Sequence, residues 1–186
     1  MEIREAALNG LLLLETKAFS DERGYFMETF KASEFERLDL PTSFPQDNFS
    51  RSKRGTLRGM HFQWSKPMGK LLRVTRGAAQ FFEVDIRKNS PTLGKSFSAE
   101  LTSGNRLALW VPPGFANGFM ALEDDTIVQY KCTAEWNAAG EGSINPFDAE
   151  LSLDWRLGSP TLSDKDAAAQ SLRQWLARPE SDAFSL

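Results

Sequence analysis

Apolar positions along the chain come in short runs, separated at close intervals by Gly, Pro, Asn and Asp. Between these breaks the runs are rich in Phe, Val, Ile, Leu and Thr, the composition of strands bounded by turns. The pattern predicts strands at 10–15, 25–30, 56–63, 70–75, 78–87, 96–101, 107–111, 118–122 and 126–133. Many short strands with frequent turns predict a mainly β chain folded as a sandwich or barrel. Two stretches depart from this. Residues 33–38 predict a short helix, and 164–177 predict a longer one. In the second, Ser163 and Asp166 have the spacing of an N-cap, and Ala168, Leu172, Trp175 and Leu176 fall on one helical face. No repeat or composition break divides residues 1–186, so a single domain is expected, with the residues from Pro179 as a loose tail.

Composition narrows the function. With 41% hydrophobic residues in 186, the chain has enough apolar material for a real core. The net charge is -3 and the basic residues are scattered, which gives no electrostatic footprint for duplex nucleic acid or an anionic membrane. The longest aliphatic run, Leu11 to Leu14, stops at Glu15 and is too short to span a bilayer. Cys132 is the only cysteine, so no intrachain disulfide forms, and no secretory signal pattern opens the sequence. A cytoplasmic location is expected.

His61 is the only histidine. A lone histidine in an apolar strand is by default a hydrogen-bonded core residue, and only its capacity to titrate near neutral pH singles it out. Its surroundings add weight: Arg54-Gly55-Thr56-Leu57-Arg58-Gly59-Met60-His61-Phe62-Gln63. Strict alternation places Leu57, Gly59, His61 and Gln63 on one face of the strand and Arg58, Met60 and Phe62 on the other. His61 and Gln63 then share a pocket. Arg58 points away from it unless Gly59 marks a bulge.

The run Leu57-Arg58-Gly59-Met60-His61-Phe62-Gln63 resembles the signature strand of the dTDP-4-dehydrorhamnose 3,5-epimerase family. The resemblance extends through Asp21-Glu22-Arg23-Gly24-Tyr25-Phe26 with Glu28, Gln46-Asp47-Asn48-Phe49-Ser50, Gly69-Lys70-Leu71 and Val84-Asp85-Ile86-Arg87. It continues in Ser90-Pro91-Thr92-Leu93-Gly94, Pro113-Gly114-Phe115-Ala116-Asn117-Gly118-Phe119, Tyr130-Lys131-Cys132-Thr133 and Leu162-Ser163-Asp164-Lys165-Asp166. It implies a cupin-type jelly roll, commonly a homodimer in which an N-terminal strand crosses to the partner. It also implies a cofactor-free epimerase that inverts C3 and/or C5 of a nucleotide-linked 4-keto-6-deoxy sugar in deoxysugar and cell-surface polysaccharide biosynthesis.

The chemistry needs a base, an opposing acid and a charge at the ketone. A C4 ketone acidifies the C3 and C5 hydrogens; removal gives an enolate, and reprotonation from the opposite face inverts the carbon. The resemblance implies His61 as base, Tyr130 as acid, Lys70 as the cation at O4 and Asp166 as the carboxylate orienting the imidazole. Alternation in 126–133 places Tyr130 on one face with Val128 and Cys132. For Asp166 an equally good reading is stabilisation of the first helical turn. For the nucleotide and sugar the resemblance implies Arg23, Glu28, Gln46, Asn48, Arg58, Gln63, Asn117, Trp136, Glu141 and Lys165. Arginine suits a diphosphate through its bidentate fork.

Two positions depart from the family pattern. Asn117 stands where a second histidine is usual, and Trp136 where a tyrosine is usual. Asparagine still hydrogen-bonds but does not titrate. These changes keep open a one-carbon epimerase of another nucleotide sugar, CDP- or GDP-linked, hexose or heptose. A ketoisomerase and a non-catalytic sugar-nucleotide-binding jelly roll also stay open. One histidine and an isolated cysteine cannot build a multi-histidine metal site, and no Gly-rich dinucleotide fingerprint follows a strand. No metal or cofactor is expected.

Overall fold

A computed structural model of the chain describes residues 1–184. The strands are β1 (Glu2–Ala6), β2 (Leu12–Glu15), β3 (Ala18–Asp21), β4 (Gly24–Met27), β5 (Gln46–Ser52), β6 (Leu57–Gln63), β7 (Lys70–Arg76), β8 (Ala78–Asp85), β9 (Ser96–Thr102), β10 (Leu107–Val111), β11 (Phe115–Ala121), β12 (Thr126–Cys132) and β13 (Glu141–Ser143). Among the described residues three short α-helices are present: α1 (Ala32–Arg37), α2 (Asp164–Ala167) and α3 (Leu172–Leu176). A six-stranded sheet in the order β1-β2-β10-β7-β12-β5 faces a five-stranded sheet in the order β13-β6-β11-β8-β9, and β3 and β4 form a separate hairpin. Every named strand pairing is antiparallel. The architecture is a jelly-roll sandwich.

Alternation along the strands divides the apolar residues among three cores. Between the sheets lie Leu13, Leu72, Val74, Phe81, Leu109, Phe119 and Val128. Residues one step along the same strands, Phe82, Val84, Ala116 and Met120, face the other way and pack under Trp155, Leu172, Trp175 and Phe184. On the far side, Leu14, Leu71, Ala108 and Trp110 are covered by Phe35 of α1 and by Leu40. This two-sided burial explains why β8 and β11 read as continuous apolar runs rather than as alternating ones. Among the described residues no helix is long and apolar enough to cross a membrane.

The C-terminal region differs from the expectation. The predicted helix at 164–177 is two short helices, because Gln170 leaves helical geometry to bridge Ile144 and to accept from the Asn145 N–H. Ser171 then starts α3 with its own capping box, closed by Gln174. The expected loose tail is instead packed down: Pro179–Phe184 form a 3-10 turn in which Ser181 and Phe184 are buried. Phe184 lies against Phe62 and Trp175, a burial worth roughly 1.5–3 kcal/mol. Residues 185 and 186 of that predicted tail lie outside the described residues.

Candidate active site

The site lies at the end of the sandwich where β6 of one sheet meets β5, β7 and β12 of the other. An open cavity is lined by Gln46, Asn48, His61, Gln63, Lys70, Tyr130, Trp136 and Glu141, with Phe62 and Met68. A second concavity shares His61 and adds Arg58, Lys165 and Asp166.

The signature strand is irregular where the chemistry sits. Its pairing with β11 shifts register between Asn117 and Phe119. Gly59 has φ +137 and is followed by a cis peptide, and a Cβ on it would meet the Gly118 Cα at 2.5 Å. Only glycine fits this φ and this approach. The consequence is a bulge. Leu57 joins Met60 and Phe62 in the core under the C-terminal helices, so the alternation expected for Leu57 is broken. Arg58 turns to the same concavity as His61, where its Nε donates to Ser52 Oγ at 3.1 Å.

His61 Nε2 lies 2.6 Å from Asp166 Oδ1. The two competing readings of Asp166 divide between its atoms: its backbone N–H donates the capping bond to Ser163 Oγ at 3.1 Å, which leaves the carboxylate for the imidazole. Burial raises the Asp166 pKa, but the His61 hydrogen bond and charge, with Ser163 and the Gly59 N–H, outweigh it and hold the carboxyl below its usual range. A carboxylate there favours the imidazolium that proton abstraction would create.

Across the cavity, Tyr130 shares the inward face of β12 with Val128 and Cys132, as alternation predicts. Burial pushes its phenol above the ordinary value, against opposing contributions from Asn48 and Arg58. A phenol that keeps its proton is suited to donate it. Lys70 begins β7, pairs with Cys132, and donates from Nζ to the His61 carbonyl at 3.4 Å. It thus joins the two sheets at the base of the site.

The predicted binding residues separate into three groups. Gln46, Asn48, Trp136 and Glu141 line the cavity, while Arg58 and Lys165 line the second concavity. Lys165 Nζ donates to Glu141 Oε2 at 2.5 Å, joining the two rims. Gln63 lines the cavity but its amide is committed: it donates to the Lys66 and Glu135 carbonyls and accepts from the Asn137 N–H. It fixes the loop that carries Trp136.

Three residues lie elsewhere. Asn117 is buried and its Nδ2 donates to Glu83 Oε1 at 2.6 Å, because a carboxyl enclosed beside it demands a donor. Arg23, at the tip of the β3–β4 hairpin, bonds Asp21, and Glu28 pairs with Lys31, both outside the cavity of this chain. Glu83 was not predicted. Its signal was a lone acid within the apolar run Phe81-Phe82-Glu83-Val84.

A histidine–aspartate pair opposite a half-buried phenol, with a lysine between them inside a jelly roll, defines an enzyme that moves protons at carbon, a cupin-type epimerase. Residues 5–174 match the family model described as dTDP-4-dehydrorhamnose 3,5-epimerase, and the chain belongs to that family. Curated relatives of that name come from Methanothermobacter thermautotrophicus, 43% identical over 91% of this chain and 94% of the relative, and Pseudomonas aeruginosa, 39% identical over 99% of each. Among solved structures, the epimerase of Legionella pneumophila in complex with dTDP-4-keto-L-rhamnose has TM-score 0.92 at 41% identity. It covers 97% of this chain and 96% of its own. The Mycobacterium tuberculosis epimerase has TM-score 0.93 at 35% identity, covering 100% and 94%.

Proposed function

We propose that the protein epimerises a dTDP-linked 4-keto-6-deoxy sugar at C3 and C5 in deoxysugar biosynthesis. The observation that carries this reading is the His61–Asp166 contact opening onto the cavity that Tyr130 and Lys70 line from the facing sheet. In this reading His61 removes the proton next to the ketone and Asp166 steadies the resulting imidazolium. Lys70 stabilises negative charge on O4, and Tyr130 returns a proton from the other face. Arg58 and Lys165 hold the diphosphate, while Trp136 and Glu141 contact sugar or base beside Gln46 and Asn48.

The chain works as one folded unit in the cytoplasm and as a homodimer, in which the β3–β4 hairpin supplies Arg23 and Glu28 to the partner's site. Support for the dimer comes from the hairpin itself, which exposes Phe19, Tyr25 and Phe26. Such an apolar set on a two-stranded element calls for a partner surface.

The test is solvent deuterium incorporation. With dTDP-4-keto-6-deoxyglucose in heavy water, NMR is expected to show exchange at both C3 and C5, and His61→Ala should abolish both. No exchange at either carbon would overturn the reading, and exchange at one carbon alone would reduce the enzyme to a single epimerisation.

A further inference from the structure

Glu83 is fully buried, and among the described residues its Oε2 has no hydrogen-bond partner. Buried carboxyl oxygens without a partner are costly, so a retained one calls for a reason. Its place in the sheet is specific. In neighbouring strands Asn117 pairs with His61 on one side and with Glu83 on the other. His61, Asn117 and Glu83 therefore form one row across β6, β11 and β8. Lys70 reaches that row from the opposite sheet, bonded to the His61 carbonyl.

The groups facing Lys70 are Glu83 from β8, Cys132 and Tyr130 from β12, Glu141 from β13 and His61 from β6. Most of them cannot balance an ammonium. Burial pushes the Cys132 thiol up to about 11, so it is uncharged near neutral pH, and the Tyr130 phenol is also raised. His61 is taken up by Asp166, and Glu141 by Lys165. Among the described residues Glu83 has no basic partner in a salt bridge and faces Asn117 and the charge of Lys70.

We propose that Glu83 is a positioning residue for the reaction: held on one oxygen by Asn117, it is the buried counter-charge that keeps the Lys70 ammonium protonated where the ketone oxygen is to bind. The inference rests on the role given to Lys70 above. The interaction between the two charges has the required sign and works against burial. Burial drives the Lys70 pKa down, with Glu83 the strongest opposing charge. Burial drives Glu83 up, opposed by the Asn117 hydrogen bond and by Lys70. Asn117 accordingly serves the site from behind, as the clamp on Glu83.

The experiment compares wild type with Glu83→Gln, which keeps an acceptor for Asn117 and removes only the charge. Lys70 is titrated through the carbon-13 shift of its Cε, and deuterium exchange is followed against pH. The expected result is a Lys70 midpoint at least one unit lower in Glu83→Gln. The alkaline limb of kcat moves down with it, KM stays within about twofold, and Glu83→Asp recovers part of the shift. A folded Glu83→Gln protein whose Lys70 midpoint and alkaline limb are unmoved overturns the proposal. If Glu83→Gln fails to fold, the wild-type titration decides. A midpoint in the range of about 5–6 known for buried lysines without a counter-charge overturns it, and a midpoint well above that range supports it. Absence of exchange in the wild type overturns the proposed function itself, whereas exchange with an insensitive Lys70 overturns only the part assigned to Glu83.

Discussion

Glu83 and Asp85 are two residues apart on β8, and both are fully buried, yet their environments push them in opposite directions. Asp85 accepts five hydrogen bonds: from the Arg87 N–H, Nε and Nη2, and from the hydroxyls of Ser90 and Thr92. Burial raises its pKa, but these donors, led by the Arg87 side chain, more than offset it and hold the carboxyl below 3.8. Glu83 has one donor, and burial wins, raising it well above 4.5. Burial alone therefore fixes neither charge state; the number and charge of the donors does. Asp85 ties down the loop after β8, with its binding capacity filled. Glu83 keeps capacity in reserve beside the chemistry.

The largest expected effect is on the saturated acid. Asp85→Ala strands the Arg87 guanidinium, whose side chain is 9% exposed, and should cost about 3–5 kcal/mol in denaturant unfolding. A loss under ~1 kcal/mol would erase the contrast. Asp166 is the intermediate case, a buried acid that is both well bonded and in the site. Asp166→Asn should lower kcat by about 10²–10⁴-fold, measured by deuterium exchange, with a much smaller effect on KM.

The two acids of β8 should also bend the stability curve in opposite senses. Asp85 binds its proton more weakly in the folded state, so its contribution is complete above 3.8 and is lost as pH falls through its lower folded value. Glu83 binds its proton more tightly when folded, so its contribution is complete below 4.5 and declines as pH rises toward its raised folded value. Unfolding free energies measured across pH should show Glu83→Gln removing that decline while leaving the acid-side loss intact. Equal behaviour of wild type and variant above pH 5 would contradict the assignment. The smallest effect is Ser163→Ala, which removes the cap beneath Asp166 and should cost about 1 kcal/mol in thermal or denaturant unfolding.

The elements legible in the sequence were those with an apolar face. Strands β6 to β12 announce themselves through Val, Leu and Phe. β5 escaped because Gln46 and Asn48 line the site with polar side chains while Asp47, Phe49 and Arg51 are exposed on the other face, and β1, β3 and β13 lie at sheet edges or in the hairpin with little buried surface. Of the site, the inward phenol of Tyr130 could be read by alternation. The direction of Arg58 could not, because one glycine decides it and sequence alone does not say whether Gly59 bulges. The roles of Lys70 and Asp166 came from family resemblance, since each has an ordinary reading in isolation. Glu83 was hidden by its good company. A strand apolar on both faces leaves no polar side to which an acid could be assigned, and so its position inside the sandwich had no periodic signature.

The contact between His61 and Asp166 spans 105 positions of the chain. Synthesis runs from the N-terminus, so every strand of both sheets is made before the Asp166 carboxylate that contacts His61 exists. A ribosome-bound chain halted after β13 would carry the cavity wall, the phenol and the lysine, yet its imidazole would lack its anchor. In the proposed mechanism epimerisation is thereby tied to a segment made after every strand, and catalytic competence arrives only when α2 docks.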